Sequence, residues 1–472
     1  MGRALFRFMF TEARMIRPYR FSVESLHSDY QQAFGRSHAL FCSGRPFFPN
    51  GVSQVGRYYR PFPIFIEAAK GAELHTADGK ALVDLWQGHF ANIFGHHPAH
   101  ITEAFATANP DLLLHLGCNT LLEQQVASEL CRMTGTDQAI FCTTGAQATM
   151  LATLIGFAHT RRSLVLKIQG GWHGVQPWSL VAVKSPGDCE CAGLPASITH
   201  EVLAVPFNDI EALNNAFRTY GAEIGVVVAE LVLGNAGMEM ATREFIQCLR
   251  GNCDRFGSML VFDEIVTGFR CNPGPLSVLY DVKPDLATFG KAISGGMPFA
   301  AIVGHQDFFR TVRVENLLRV VADAGTFTSH PGTLVAVLST LREIAARGDL
   351  LYAGIAQLTR DLRSKLRATF DKWNVQAHIT GRSPDTTLPD FPVATVRFLK
   401  EGTEYDSTVT LSHWDNSRVD IPLRDELSRL ALCLRGVFPW QGAGVITAAH
   451  THSHVQLLID AYEDWLSTWS EA

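Results

Sequence analysis

Two stretches of the chain end apolar runs on residues that can do chemistry. From Ser258, SMLVFDEIVTGFR carries Met259-Leu260-Val261-Phe262 into two acids, Asp263 and Glu264. From Pro284, PDLATFGKAISGGMPFAAIVG delivers Lys291 into the glycine-rich turn Ser294-Gly295-Gly296-Met297-Pro298. Short apolar runs bounded by such turns read as buried strands of a parallel sheet. Ligands of such sheets sit beyond the strand C-termini, so the pattern predicts an acid and a lysine at one edge. A lysine there can form a Schiff base, and a buried acid can hold a heterocyclic nitrogen protonated. The same residues also suit a plainer arrangement, with the acid capping a helix and the lysine reaching solvent.

The first pair of roles is the chemistry of pyridoxal phosphate, and two further stretches meet its other needs. Thr143-Thr144-Gly145-Ala146 lies at a strand-to-helix turn. The free N–H groups, hydroxyls and helix dipole of such a turn suit a phosphate. Gly170-Gly171-Trp172-His173-Gly174 puts an indole and an imidazole on a loop. A tryptophan there can stack on a flat heterocycle or simply pack.

The elements that must position these residues alternate regularly from about Leu112. A helix near 121–133 precedes a strand at 138–142, and a helix at 146–159 precedes a strand at 163–168. A helix near 209–220 leads to a strand at 225–232, and a helix at 242–256 ends at Gly257, a natural cap. The strands ending at Asp263 and just before Lys291 complete the series, which implies a mostly parallel sheet covered on both faces. Before it, residues 51–86 read as short strands joined by turns, with Asp78-Gly79 a hairpin signal. After GTFTSHP at 325–331 come helices at 332–347 and 353–370, a strand-like piece at 393–398 and a last helix at 454–468. The organisation expected is an N-terminal segment (1–90) contributing to a small domain and to the active site, a large α/β domain (91–330), and a C-terminal α+β small domain (331–472).

Composition narrows the class. With 472 residues, 47% apolar and 18% charged, the chain has ample core, and its net charge of -6 argues against nucleic acid as the main partner. No apolar run approaches the roughly 20 residues needed to span a bilayer. The ten cysteines lack zinc-type spacing and read as free buried thiols of a reducing, cytoplasmic compartment. The first 21 residues hold five arginines and one acid, which reads as a docking helix more than as a transit peptide.

The order TTGAQAT, WHG, AELVLGNAG, FDEIVTGFR, FGKAISGGMP and GTFTSHP resembles class III aminotransferases, fold-type I pyridoxal phosphate enzymes. More narrowly, it is similar to their glutamate-1-semialdehyde aminomutase branch, from about Gly51 to Tyr462. The resemblance implies that Lys291 carries the cofactor and later moves a proton, and that Asp263 pairs with the pyridinium nitrogen. It implies that Thr144, Gly145 and Ala146 cup the phosphate, and that Trp172 and Ile265 pack against the two ring faces. His173 and Glu230 join the cofactor set by their places in WHG and AELVLGN. Thr326 would reach the phosphate of a neighbouring subunit, which makes the expected enzyme a homodimer with shared active sites. GVSQVGRYY is similar to the aminomutase segment whose arginine binds the substrate carboxylate. That makes Arg57 a carboxylate clamp, with Tyr58 and Trp86 beside it in the substrate pocket.

Some positions depart from the pattern. Asn235 and Val266 stand where ornithine-type relatives carry Glu and Gln. The family's GTEA turn is Gly145-Ala146-Gln147-Ala148 here, and Gly442 aligns with an aminomutase glutamate, which argues against the aminomutase substrate itself. His450, His452 and His454 alternate as metal ligands can, but they align with the entry to the last helix, and no metal is expected. The expected activity is transamination of an amino acid or a carboxylate-bearing amine. A mutase or racemase outcome, or a non-catalytic scaffold, stays open.

Overall fold

The computed structural model describes residues 21–183, 191–315, 320, 322, 325–403 and 418–469. The expected N-terminal docking helix lies outside them, as does Cys189.

The centre is a seven-stranded sheet built from Gln138–Cys142, Leu164–Ile168, Val202–Val205, Ile224–Ala229, Met259–Asp263, Leu286–Gly290 and Ala300–Gly304. In space, Gln138–Cys142 is followed by Ala300–Gly304, Leu286–Gly290, Met259–Asp263, Ile224–Ala229, Leu164–Ile168 and Val202–Val205. Ala300–Gly304 runs antiparallel to both of its neighbours, and every other pairing is parallel. Two reversals cancel, so Gln138–Cys142 points the same way as the other five. Six strands therefore end at one edge, which is where parallel sheets hold their ligands. The three central strands are buried at every position, as a sheet covered on both faces requires.

Two of these strands, Val202–Val205 and Ala300–Gly304, are absent from the expected series. The expected strand at 225–232 stops at Ala229, which leaves Glu230 just past the sheet edge. The helices fall close to expectation. Gly145–Thr160 starts at Thr144, whose hydroxyl accepts from the Gln147 N–H at 3.3 Å. Arg243–Phe256 runs from a Thr242 cap to Gly257 at φ 68°, a left-handed stop that costs glycine little.

The second part of the fold packs on this sheet. The two helices expected after residue 331 run within Pro331–Lys372 and meet at Gly348, whose φ of 51° and ψ of -138° leave helical geometry. Short strand pairs (Ala377–Ile379 with Val396–Phe398, Val393–Ala394 with Gly444–Val445) and the last helix, His452–Ser467, complete it. The N-terminal strands Ile66–Lys70, Glu73–Thr76 and Ala81–Asp84 form an antiparallel sheet, which Val437–Phe438 extends by pairing parallel to Ala81–Asp84. The buried Arg397 guanidinium sits 3.0 Å from Glu239 and donates to the Ala236 carbonyl at 3.2 Å, tying a late strand to the turn after Glu230.

Of the nine described cysteines, all free, Cys42, Cys118 and Cys191 are exposed, so the expectation of uniformly buried thiols does not hold. No described helix is long and apolar enough to cross a membrane.

Candidate active site

The shared strand edge gathers Asp263, Lys291, Glu230 and the Thr144 turn because each lies at or just past a strand end. Asp263 closes Met259–Asp263 and lies opposite Thr288 in the adjacent strand. Lys291 follows Leu286–Gly290 at the start of a short turn, with a left-handed φ of 40°. Strand alternation sends consecutive residues to opposite faces, and the two acids separate accordingly. Asp263 faces the site, whereas Glu264 is buried and accepts from the Leu276 and Ser277 N–H groups at 2.6 and 3.1 Å. The capping role suited to a strand-end acid therefore belongs to Glu264. Its burial raises the carboxyl to about 7.

Three donors converge on the Asp263 carboxylate. His173 meets one oxygen through Nδ1 at 2.8 Å. The Thr288 hydroxyl and the Ile265 N–H reach the other at 3.1 and 3.2 Å. His173, expected on a loop among the cofactor residues, is buried against Asp263. Burial lowers its pKa, and Asp263 opposes that shift. Burial also pulls the Lys291 ammonium down to about 8, against the pull of Asp263 and Glu230. Glu230 accepts from the Trp172 and Gly234 N–H groups at 2.7 and 2.9 Å. Desolvation, then the nearby Asp263 charge, raises its carboxyl to about 8.

The loop that brings Trp172 and His173 here is fastened from below. The wholly buried Lys167 donates to the carbonyls of Gly171, Ser179 and Val181 at 3.1, 2.6 and 2.8 Å. Gly174 (φ 101°) brings the loop against the start of helix Gly145–Thr160, and a β-carbon there would lie 2.4 Å from that of Ala146. Thr149, on the same helix, donates its hydroxyl to the His173 carbonyl at 2.5 Å. The N–H groups of Gly145 and Ala146 occupy the first two helical positions, where no intrahelical acceptor exists. Gln147 folds back to accept from the Thr143 N–H at 3.1 Å. Ile265 lies beneath: β-carbons at Gly145 and Gly290 would stand 3.1 and 3.2 Å from it. Trp172 is 41% exposed. Thr326 is exposed, beside Gly325, whose β-carbon position lies 3.5 Å from the Gln147 side chain of the same chain.

A cavity of about 580 Å³ is lined by Arg57, Tyr59, Trp86, His89 and Phe438 among others. Arg57 is exposed, and its guanidinium donates to the Ser53 hydroxyl at 3.3 Å. Tyr58 does not line this cavity. Its ring turns outward, 6.3 Å from Phe41, and the buried Tyr59 takes the inner position, because neighbours in extended chain face opposite ways. Asp84 and His96, 2.7 Å apart, form part of the wall.

A left-handed turn supports the wall. Gln87, Gly88, His89 and Phe90 all have positive φ, from 48° to 68°. The Phe90 N–H donates to the Trp86 carbonyl at 2.9 Å. The buried Arg270 guanidinium donates to the Phe90 carbonyl, and Trp440 packs edge-on against the Phe90 ring at 4.8 Å. Gly442, two residues beyond Trp440, has no room for a side chain. It sits at φ 80° with its β-carbon position 2.9 Å from Val396, so the aminomutase glutamate has no place there. Asn235 is exposed. His450 is a buried hydrogen-bonding group that meets the Asp84 carbonyl through Nε2 at 3.1 Å.

Sequence reasoning missed Thr288, Lys167 and Arg270. Thr288 had a signal, three residues before Lys291 and in the strand that Lys291 follows. Lys167 and Arg270 had none, since a lysine within an apolar strand and an arginine after a turn commonly reach solvent.

The aminotransferase class-III family profile matches residues 54–383. Glutamate-1-semialdehyde 2,1-aminomutase of Methanopyrus kandleri is 34% identical over 317 residues, covering 66% of this chain and 73% of the relative. The β-phenylalanine aminotransferase of Variovorax paradoxus superimposes with a TM-score of 0.80 at 25% identity, over 94% of this chain and 97% of that one. An omega-transaminase from Sphaerobacter thermophilus shares the fold with a TM-score of 0.81 at 24% identity, over 91% of this chain and 97% of the other. The chain thus belongs to the class-III aminotransferase family, the pyridoxal-phosphate-dependent aminotransferases and aminomutases of fold-type I.

Proposed function

We propose that this chain is an aminotransferase that carries pyridoxal phosphate on Lys291 and acts on an amino acid or a carboxylate-bearing amine. The donor set fits the cofactor. An amine and an acid share one strand edge, a helix N-terminus with free N–H groups stands beside them, and Gly145 and Gly290 leave Ile265 uncovered as a floor. Bound there, the cofactor supplies an electron sink that acidifies the proton next to the substrate amine.

The protein's own residues do the rest. Burial keeps the Lys291 amine near neutrality, where it can both attack a carbonyl and accept a proton. His173, Thr288 and the Ile265 N–H fix the Asp263 carboxylate in one orientation. Glu230 holds the Trp172 backbone at the mouth. Thr144, Gly145 and Ala146 would take the phosphate, and Thr326 would reach that of a partner subunit in a homodimer. Arg57 would bind the substrate carboxylate at the far end of the aromatic-lined cavity, with Trp86 beside it.

The observation that carries this reading is the strand edge, where Lys291 lies within the fields of the Asp263 and Glu230 carboxylates; the carboxylate-bearing substrate rests on the cavity that sets Arg57 among Trp86, Tyr59 and Phe438, with Asp84 and His96 in its wall. The packing around Gly442 favours transamination over the aminomutase reaction. The test is borohydride reduction followed by mass spectrometry, then incubation with a panel of amino acids and amines with keto-acid and chiral product analysis. The adduct is expected on Lys291, and Lys291→Ala is expected to lose both the adduct and turnover. An adduct on another lysine ends the assignment, and a racemised or internally rearranged product replaces transamination with racemase or mutase chemistry.

A further inference from the structure

We infer that His89 is a specificity-determining residue whose Nε2–H donates a hydrogen bond to the substrate carboxylate alongside Arg57. This rests on the reading of Arg57 as the carboxylate clamp.

Four observations converge on it. His89 lines the same cavity as Arg57 and Trp86. Its Nε2 is buried and has no hydrogen-bond partner among the described residues, and a buried polar atom left so is costly unless a ligand completes it. That atom faces the residue before Arg57, since a β-carbon at Gly56 would lie 3.9 Å from it. The imidazole is held there by Trp86, ring centres 4.1 Å apart, and by its place in the left-handed turn.

Such backbone persists in a non-glycine residue only where its surroundings impose it. Here Arg270 and Trp440 grip Phe90 from the other side, so the ring is aimed rather than left to settle. Burial, with the charges of Arg57 and Lys291, lowers the imidazole to about 4. The ring is therefore neutral at ordinary pH and adds a directed donor without a second positive charge. A carboxylate has two oxygens, and a fork plus one neutral donor can fix which way the substrate lies across the cavity. The class recognised is a carboxylate on an arylalkyl frame, with the apolar part against Trp86, Tyr59 and Phe438.

The test uses the cofactor-loaded protein and two unreactive probes, 3-phenylpropionate and 3-phenylpropan-1-ol, titrated calorimetrically. Losing a hydrogen bond to a charged group should loosen 3-phenylpropionate about tenfold or more in His89→Phe. Binding of the alcohol should change less than about twofold, and His89→Gln, which keeps an N–H donor, should recover most of the carboxylate affinity. His89→Asn is a second loss variant: asparagine tolerates left-handed backbone but cannot reach the Nε2 position. In steady state the loss should appear for carboxylated substrates and spare the corresponding amines. Equal loosening of both probes would make His89 a packing wall, and unchanged affinity in both loss variants would remove the contact. Should the wild type, with its link on Lys291 intact, fail to bind 3-phenylpropionate at all, the Arg57 reading falls and this one with it.

Discussion

Gly174→Ala tests whether the loop bearing Trp172 and His173 must seat against the start of helix Gly145–Thr160, the turn proposed to take the phosphate. The added methyl would lie 2.4 Å from the Ala146 β-carbon and 2.7 Å from its α-carbon, at a φ of 101°. Two costs follow. Left-handed backbone costs a residue with a β-carbon about 1–2 kcal/mol. Overpacking against the helix start adds about 1–3 kcal/mol. The variant should therefore lose about 2–5 kcal/mol in urea unfolding followed by circular dichroism. If the helix start yields instead of the loop, a phosphate contact is lost, and cofactor affinity should drop about ten- to a hundredfold by absorbance titration.

Gly193→Ala is the control, exposed and with nothing within 4 Å of its β-carbon position. It should stay within about 0.5 kcal/mol of the wild type. Adding Ala146→Gly removes the nearer clash and leaves both the backbone cost and the α-carbon contact. A double-mutant cycle should therefore show a favourable coupling of about 1 kcal/mol. Wild-type stability and cofactor affinity in Gly174→Ala would refute the argument that this close approach builds the site.

Two other outcomes are expected. Arg57→Ala should raise KM for carboxylated substrates at least about tenfold and leave simple amines nearly unaffected, whereas an equal loss on both would make Arg57 a packing residue. The buried His450 accepts from the Thr447 N–H at Nδ1 and so donates from Nε2 to Asp84. Burial lowers it to about 4. Because an unfolded histidine titrates near 6.5, the unfolded chain binds more protons between these values. Stability contributed by neutral His450 is thus complete above about 6.5 and declines as pH falls towards 4, by up to about 3 kcal/mol. His450→Gln should flatten that slope in acid unfolding, and an unchanged slope would place the sensitivity elsewhere.

The strand edge that gathers the candidate residues was legible because Asp263, Lys291 and the Thr144 turn each end a short apolar run, and parallel strands align such ends. The two missed strands lacked that signature. Ala300–Gly304 opens with two alanines, and Val202–Val205 is four residues long. The junction between the two helices within Pro331–Lys372 was legible in Arg347-Gly348-Asp349, because glycine readily takes the φ of 51° that interrupts the helix there. The pairing of His173 with Asp263 joins residues 90 apart in sequence, past the intervening strand Ile224–Ala229, which no local spacing reveals. The left-handed turn had only Gly88 to announce it, and three other residues take that backbone because Arg270 and Trp440 hold Phe90 in place.

The pairing of Ala81–Asp84 with Val437–Phe438 has a consequence for the order of assembly. All seven strands of the central sheet lie between residues 138 and 304, so that sheet can close before the last part of the chain is in place. The sheet that leads into Trp86 cannot, because Val83 and Leu85 donate to the carbonyls of Gly436 and Phe438. Contacts so distant in sequence pay the largest closure entropy and form slowly. On refolding, the Val226–Val228 amides should gain protection from pulsed hydrogen exchange before those of Val83 and Leu85; the reverse order would sink the idea. The surface that would meet the cofactor is then finished first, and the wall that would select the substrate is added last.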